Sequence, residues 1–183
     1  NLFAGCQELT SIAIPETVTS IGNYTFYNTG LESIELPDSI KSIGIDAFAN
    51  CTKLEYLIFS KNLTEIRSYA FSDCTGLKEI VLPESLLKIE RNAFSGCTNL
   101  TGIELPKKLE TIERNAFGDC KNLKEVYIPK SLKLMDPKGT SYGGAFTGSG
   151  VTTVRFEEGI ETIIGNLFAG CQELTSIAIP ETV

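Results

Sequence analysis

Cysteine, serine and acidic side chains are the residues of this 183-residue chain that could do chemistry. The segment Gly139-Thr140-Ser141-Tyr142-Gly143 matches G-x-S-x-G, the nucleophile-elbow motif of hydrolases. That motif requires a histidine base, and the chain contains no histidine. We therefore interpret the segment as a loop rich in Gly and Ser, and predict no catalytic residue.

Each of the six cysteines lies three residues after a recurring phenylalanine, and several consecutive cysteines are 23 residues apart. Such a row could form disulfides or bind a metal. However, this spacing provides no Cys-x-x-Cys pair, and side chains stacked in a row point parallel to one another. A small thiol buried in an apolar interior explains the same pattern. We therefore predict no disulfide, no metal site and no cofactor.

The phenylalanine itself marks an internal repeat, with steps of 23, 22, 23, 23, 23, 29 and 22 residues. The copies 77–99 and 100–122 follow L-x-x-I-x-L-P-x-x-L-x-x-I-x-x-x-A-F-x-x-C-x-x. The two short steps each lack one residue and the cysteine, and the long step holds a six-residue insertion near residues 136–145. The recurring positions are Phe3, Phe26, Phe48, Phe71, Phe94, Phe117, Phe146 and Phe168.

A second duplication is longer, because residues 1–18 are identical to residues 166–183. The offset of 165 residues equals the sum of the seven steps. Both ends of the sequence cut through a repeat. We predict a single array over residues 1–183, with about eight coils of 22–23 residues, and interpret it as a fragment of a longer array or as an engineered chain.

The repeat also predicts the architecture. L-x-x-I-x-L alternates as a strand with one buried face does, and the following proline ends the strand. A single coil cannot bury its apolar side alone, but stacked coils can. We predict an α/β solenoid with a parallel sheet on its concave face, short 3-10, turn or β segments on its convex face, and little or no regular α-helix. In copy 77–99 the inward side chains are Leu77, Ile80, Leu82, Leu86, Ile89, Phe94 and Cys97.

This frame resembles leucine-rich repeats, with Ile in place of some Leu, and I-x-L-P-x-x-L-x-x-I-x-x-x-A-F-x-x-C is similar to the BspA-like (Treponema-type) subclass. The Asn typical of such repeats survives only at Asn62, in a slot that normally points inward. The resemblance implies a horseshoe shape, an extracellular or cell-surface location and adhesion, including binding to host matrix proteins such as fibronectin. It implies no shared catalytic residue, so we predict that the protein is not an enzyme.

Solvent-facing positions of the predicted concave sheet are the candidate binding residues. Tyrosine anchors among charged side chains are typical of a protein-binding patch. Paired carboxylates would also suit glycoside hydrolysis or calcium, although nothing resembles a calcium-binding loop. A plain solvated sheet explains the same pattern. The apolar candidates are Tyr56, Ile58, Val81 and Tyr127, and the acidic ones are Glu35, Glu79, Glu104 and Glu125.

Charge narrows the class of partner. With 23 acidic and 16 basic residues, the chain has a formal net charge of −7. The negative charge makes the chain a poor match for nucleic acid or an anionic membrane surface. In addition, no apolar run of the sequence approaches the roughly 18 residues of a membrane span. We predict a surface interaction module that binds a protein, such as a host extracellular-matrix protein, or a glycan. The alternative, favoured by the 165-residue duplication, is a spacer or stalk whose binding domain lies elsewhere.

The two ends of the array carry no polar cap, which solenoids need because a terminal coil exposes its core. We therefore predict that apolar side chains face solvent at both ends and that the chain can associate end to end. The side chains concerned are Leu2, Phe3, Ile12 and Ile14 at one end, and Leu174, Ile177 and Ile179 at the other.

Overall fold

The computed structural model describes residues 1–133, 143–163 and 165–183. Most of the predicted insertion and of the G-x-S-x-G segment lies outside these residues. In the described part of the chain every regular element is a β-strand. The strands are β1 Ser20–Ile21, β2 Ser33–Glu35, β3 Ser42–Ile43, β4 Tyr56–Ile58, β5 Glu65–Ile66, β6 Lys88–Ile89, β7 Ile103–Glu104, β8 Thr111–Ile112, β9 Glu125–Ile128, β10 Thr153–Phe156 and β11 Ser176–Ala178.

Each coil contributes strands to two faces of the stack, and we name a coil by its phenylalanine, so that residues 77–99 are the Phe94 coil. The predicted L-x-x-I-x-L segments form what we call the front sheet, which contains β2, β4, β7, β9, β10 and β11. The second half of each repeat forms the second sheet, in the order β1-β3-β5-β6-β8. All pairs are parallel, and equivalent residues of neighbouring coils pair, as Ile43 does with Ile66.

The phenylalanines form one column through the interior. Successive ring centroids lie 5.0 to 5.5 Å apart, and the ring planes differ by 2 to 16°. The seven inward side chains predicted for the Phe94 coil are all buried, with at most 7% exposure. Because every coil presents the same apolar groups in register, the coils bury one another's interior faces.

Turns on either side of each phenylalanine follow a fixed backbone pattern. In most coils the residues two before and two after the ring take positive φ, for example 52° at Asp46 and 62° at Asn50; before Phe146 it is Gly143, three residues earlier, that does so. Asn, Asp and Gly tolerate this conformation best, which explains their recurrence beside the phenylalanines. A third ladder of hydrogen bonds runs here, since Phe48 N–H donates to the Ala70 carbonyl and Phe94 N–H to the Ala116 carbonyl, at 2.8 and 2.7 Å.

The front sheet is not continuous, which differs from the uninterrupted stack that the repeat predicted. β2 pairs with β4, but the next front-sheet contact is the single bridge between Glu79 and Gly102. The break lies beside Phe59. Most other coils carry a smaller aliphatic residue at this position, although Phe156 occupies it in β10, where the sheet is continuous. Its ring packs edge-on against Phe71, at 5.6 Å, and against Phe94 of the next coil, at 6.5 Å. The aromatic ring thus occupies space between the two coils beside the broken ladder.

The terminal coils are less buried than the interior ones. Leu2 is 77% exposed at one end, and Ile177 and Ile179 are 50% and 55% exposed at the other. Phe3, Ile12, Ile14 and Leu174 pack against the core from partly buried positions.

Candidate binding surface

All eight candidate residues are exposed; six of them lie on front strands, whereas Glu79 and Val81 lie in the segment between β5 and β6, outside the strands. Their neighbours inward are core residues, because successive side chains of a strand point to opposite faces. On β4, for example, Tyr56 and Ile58 are 70% and 57% exposed while Leu57 between them is 9% exposed.

Tyr56 and Ile58 form the most apolar part of this surface, which we call the β4 patch. Ile58 pairs across the sheet with Glu35, and Tyr56 pairs with Ser33. Beside Tyr56 lies a shallow hollow of about 480 Å³, lined by Glu32, Thr52, Lys53, Glu55 and Tyr56. The patch therefore joins two adjacent apolar side chains to a polar depression and a carboxylate.

Tyr127 lies apart from the β4 patch, on β9, with the front segments of two coils between them. It pairs with Glu104 on one side and with Arg155 on the other. The Arg155 guanidinium also forms an ion pair with Glu125, with Nε 2.6 Å from the carboxylate. Tyr127 is 37% exposed, about half as much as Tyr56. The front sheet thus separates the candidate residues into two patches rather than one, and Arg155 neutralises one of the candidate carboxylates.

Val81 and Glu79 lie between these sites, next to the break in the sheet. Val81 is 84% exposed, the largest exposed fraction among the large apolar side chains of the described residues. Glu79 makes the isolated bridge to Gly102. Neither residue is joined by strand pairing to the β4 patch, so the structure does not bring all the predicted apolar anchors together.

The six cysteines are free thiols, and four of them are buried. Each of five thiols donates to the carbonyl of the phenylalanine in the preceding coil, at 3.0 to 3.3 Å. In the coils that lack the cysteine, Thr29 and Ser149 occupy its place and lie 3.2 and 3.7 Å from the next thiol. The row is thus a column of polar contacts within the core.

Asn62 does not point inward, so that expectation from the resemblance is wrong. Its side chain is exposed and donates to the Asp38 carbonyl at 2.8 Å. Ser60, which replaces the usual proline, is the buried polar residue and donates to the Ile40 carbonyl at 2.6 Å. Where the array lacks the Asn, hydroxyls of Ser39, Ser85, Ser131 and Thr182 bond the preceding coil at 2.6 to 2.9 Å.

Sequence reasoning missed an ionic cluster on the second sheet. Lys88 lies 3.7 Å from Glu65, 2.8 Å from Glu90 and 3.2 Å from Glu113, so it links three consecutive coils. Glu90 also accepts hydrogen bonds from Ser68, at 3.0 Å from its N–H and 2.9 Å from its hydroxyl. Lysine and glutamate at equivalent positions of adjacent repeats would have been the sequence signal.

These contacts describe a packed repeat that exposes tyrosine, aliphatic and acidic side chains on its front face. Among residues 1–133, 143–163 and 165–183, no three Cys, Asp or Glu side chains gather into an arrangement that could hold a metal ion. The same residues contain no helix with the length and hydropathy of a membrane span.

Comparison with known families identifies the repeat. The family described as "BspA type Leucine rich repeat region" matches residues 1–101 and 140–183, with six copies. The chain belongs to this BspA-type leucine-rich repeat family. The predicted family and solenoid fold are therefore confirmed. A search of curated proteins found no match.

Solved structures of bacterial leucine-rich repeat proteins share this fold. The Treponema pallidum leucine-rich repeat protein is 29% identical, with a TM-score of 0.69, over 90% of this chain and 78% of that one. A Bacteroides ovatus leucine-rich repeat protein is 27% identical, with a TM-score of 0.78, over 96% of this chain. A leucine-rich cell surface protein of Faecalibacterium prausnitzii is 27% identical, with a TM-score of 0.75, over 92% of this chain.

This chain spans 47% of the length of the Bacteroides and of the Faecalibacterium proteins. The shared part is the repeat array, which in leucine-rich repeat families serves as a binding module. The BspA-type array is therefore consistent with a protein-interaction role.

Proposed function

We propose that this BspA-type array is a non-enzymatic adhesin-type module, extracellular or at the cell surface, that binds a host or partner protein through its front sheet. The supporting observation is the β4 patch. Tyr56 and Ile58 expose more than half of their area side by side, next to the Glu35 carboxylate. Desolvating such adjacent apolar groups on binding is favourable, and a tyrosine surrounded by polar groups is a common interface anchor.

The β4 patch is a better candidate than Tyr127 for the main contact. Tyr127 is only 37% exposed, and an ion pair between Arg155 and Glu125 lies beside it. A partner would have to desolvate that ion pair, which costs free energy. We therefore assign Tyr127, Glu104 and Glu125 to the rim of the proposed surface.

Alanine substitution tests the assignment. Tyr56→Ala combined with Ile58→Ala should weaken binding to an immobilised host matrix protein, with fibronectin as the first probe, by roughly 30-fold, since interface anchors are worth about 2 kcal/mol or more. Tyr127→Ala is the matched control and should cost less than threefold. All three substituted side chains are exposed, so circular dichroism should show that each variant keeps the fold of the parent. Equal binding by the double variant and the parent would contradict the proposal.

A glycan partner through the same surface would be recognised by a binding screen on immobilised oligosaccharides. In that arm the double variant should lose binding as well, because the same tyrosine ring supplies the contact. Binding that survives on both kinds of probe would exclude the β4 patch as the recognition site.

The second candidate function is a spacer or stalk, and the observation that favours it is the identity of residues 1–18 and 166–183. Duplication at a whole number of coils adds length without shaping a site. If the array is a spacer, variants with added or removed coils should change adhesion while the double alanine variant should not.

A further inference from the structure

Two tyrosines occupy the positive-φ position that lies two residues before the phenylalanine. Tyr24 has φ of 56° and Tyr69 has φ of 60°. Other coils place Asp46, Asn92 or Asn115 there, residue types that tolerate this backbone. An aromatic residue in this conformation stores strain, and such strain is characteristic of positions where the side chain has a role.

At Tyr69 that role is visible within the chain. The guanidinium of Arg91, in the next coil, lies over the ring, 5.6 Å from its centroid. A backbone hydrogen bond also joins the two residues, since Tyr69 N–H donates to the Arg91 carbonyl at 3.0 Å. The ring therefore forms a cation–π contact with a cation that the protein itself supplies.

At Tyr24 the repeat has the same backbone but no such cation. Its N–H donates to the Ile45 carbonyl at 2.9 Å, so Ile45 stands in the place of Arg91. In the described part of the chain, no Lys or Arg side chain lies over the Tyr24 ring. The next position is Asp46 instead of Asn92, and its negative charge is the main reason that the pKa of Tyr24 is raised. Tyr24 is 41% exposed, and Tyr27 packs edge-on at 5.9 Å.

The Tyr24 corner thus presents two aromatic rings and the Asp46 carboxylate, which forms no ion pair within the described part of the chain. The α-ammonium of Asn1 is a nearby cation, and it donates to the Asn23 carbonyl at 3.0 Å. We propose that Tyr24, Tyr27 and Asp46 form a binding site for the guanidinium or ammonium group of an Arg or Lys side chain of a partner protein. The ring faces attract the cation through their quadrupole, and the carboxylate adds a Coulomb attraction. Residues 1–60 carry seven acidic and two basic side chains, so the surrounding field also favours a cation.

Amino-acid amides test this site directly on the whole chain. Nα-acetyl-arginine amide and Nα-acetyl-lysine amide should shift the NMR signals of the Tyr24 and Tyr27 rings, whereas the uncharged Nα-acetyl-citrulline amide should not. Tetramethylammonium is a separate arm for a small-molecule source. If tetramethylammonium shifts these signals and neither charged amide does, the assignment to a protein side chain is overturned.

Three variants locate the binding. Tyr24→Asn and Asp46→Asn should each weaken amide binding at least tenfold. Ile45→Arg should do the same while keeping both tyrosines, because it recreates the Arg91 arrangement and occupies the site from within. Asn tolerates positive φ, so Tyr24→Asn should not lower the melting temperature. Undiminished binding in these three variants would overturn the proposal.

Tyr69→Asn is the matched control, since that ring is already covered by Arg91. It should leave amide binding unchanged. The double alanine variant of the β4 patch should also leave it unchanged, because Tyr24 lies on the turns rather than on the front strands. Loss of amide binding in either control would show that the site is elsewhere and would overturn the assignment.

Discussion

At the scale of single residues, the cysteines show how a reactive group is made inert. Burial raises the pKa of the Cys120 thiol to about 12, and it raises those of Cys74 and Cys97 well above the ordinary value. The thiolate is the reactive form, so these groups remain protonated and unreactive at neutral pH. Their value to the fold lies in apolar burial and in the hydrogen bond to the phenylalanine carbonyl.

Thiol reactivity should therefore divide the cysteines into those that react in the native protein and those that react only after unfolding. At pH 8 the native protein should react rapidly with a disulfide reagent such as DTNB at Cys6, which is exposed, and more slowly at half-buried Cys171. Cys51, Cys74, Cys97 and Cys120 should react only after unfolding in urea. Absorbance at 412 nm measures the two classes. Rapid reaction of all six, or fewer than six after unfolding under non-reducing conditions, would contradict the buried free thiols.

At the scale of strands, Lys88 on β6 joins neighbouring coils by charge as well as by backbone hydrogen bonds. Burial alone would raise the pKa of Glu90, but hydrogen bonds from Lys88 and Ser68 outweigh it and the pKa is lowered. Hydrogen bonds to Glu90 are also the main reason that the pKa of Lys88 is raised. Both shifts mean that folding favours the charged forms.

Glu90→Gln should consequently destabilise the protein in a pH-dependent way. A lowered folded-state pKa stabilises the fold above the unfolded-state value of about 4.3, and this contribution disappears as the pH falls through the folded-state pKa. The cost at pH 7 should be about 0.5–1 kcal/mol, because the cluster is partly exposed. Urea unfolding at pH 7 and at pH 3 measures it. A difference from the parent that is as large at pH 3 as at pH 7 would contradict the ionic origin. Glu84→Gln, at an exposed position outside the cluster, is the control.

At the scale of the whole molecule, the column of phenylalanines joins the coils into one structure. Phe94 is fully buried and stacks on both sides, at 5.2 and 5.1 Å. Phe168, at the last stacking step, is partly buried and has a described ring neighbour only in Phe146. A stack of this kind derives its stability from contacts between neighbouring coils.

Phe94→Ala should cost about 3–5 kcal/mol of unfolding free energy, since it removes a buried ring between two others. Phe168→Ala should cost markedly less, because the side chain is less buried and has one stacking partner. Urea denaturation followed by circular dichroism measures both. Equal costs for the two substitutions would show that the column does not carry the coupling between coils.

The open ends give a prediction for the whole chain in solution. Their apolar side chains, including Leu2, Ile177 and Ile179, belong to opposite faces of one repeating stack, so two copies can continue each other's core. We expect the average mass by light scattering to rise with concentration. Ile177→Asp combined with Ile179→Asp should suppress that rise. A strict monomer at high concentration would contradict end-to-end association.

The repeat alone determined most of the fold, and the reason is its periodicity. Identical residues at a constant spacing can bury one another only if equivalent positions stack, so the phenylalanine column and the seven inward side chains of the Phe94 coil were predictable. The exposure of Tyr56 and Ile58 followed from strand alternation in the same way. The positive-φ turns also had a signal, in the Asn, Asp and Gly residues beside each phenylalanine.

Only the tertiary structure decided how the coils depart from their common pattern. The break in the front sheet beside Phe59 and the outward Asn62 arise where side chains of neighbouring coils differ. Tyr69 has a cation over its ring because the next coil places Arg91 there. Tyr24 lacks one, within the described residues, because the equivalent residue of the next coil is Ile45. A period fixes which positions are equivalent, but contacts between unlike side chains 22 or 23 residues apart are set by packing and charge after the coils have stacked.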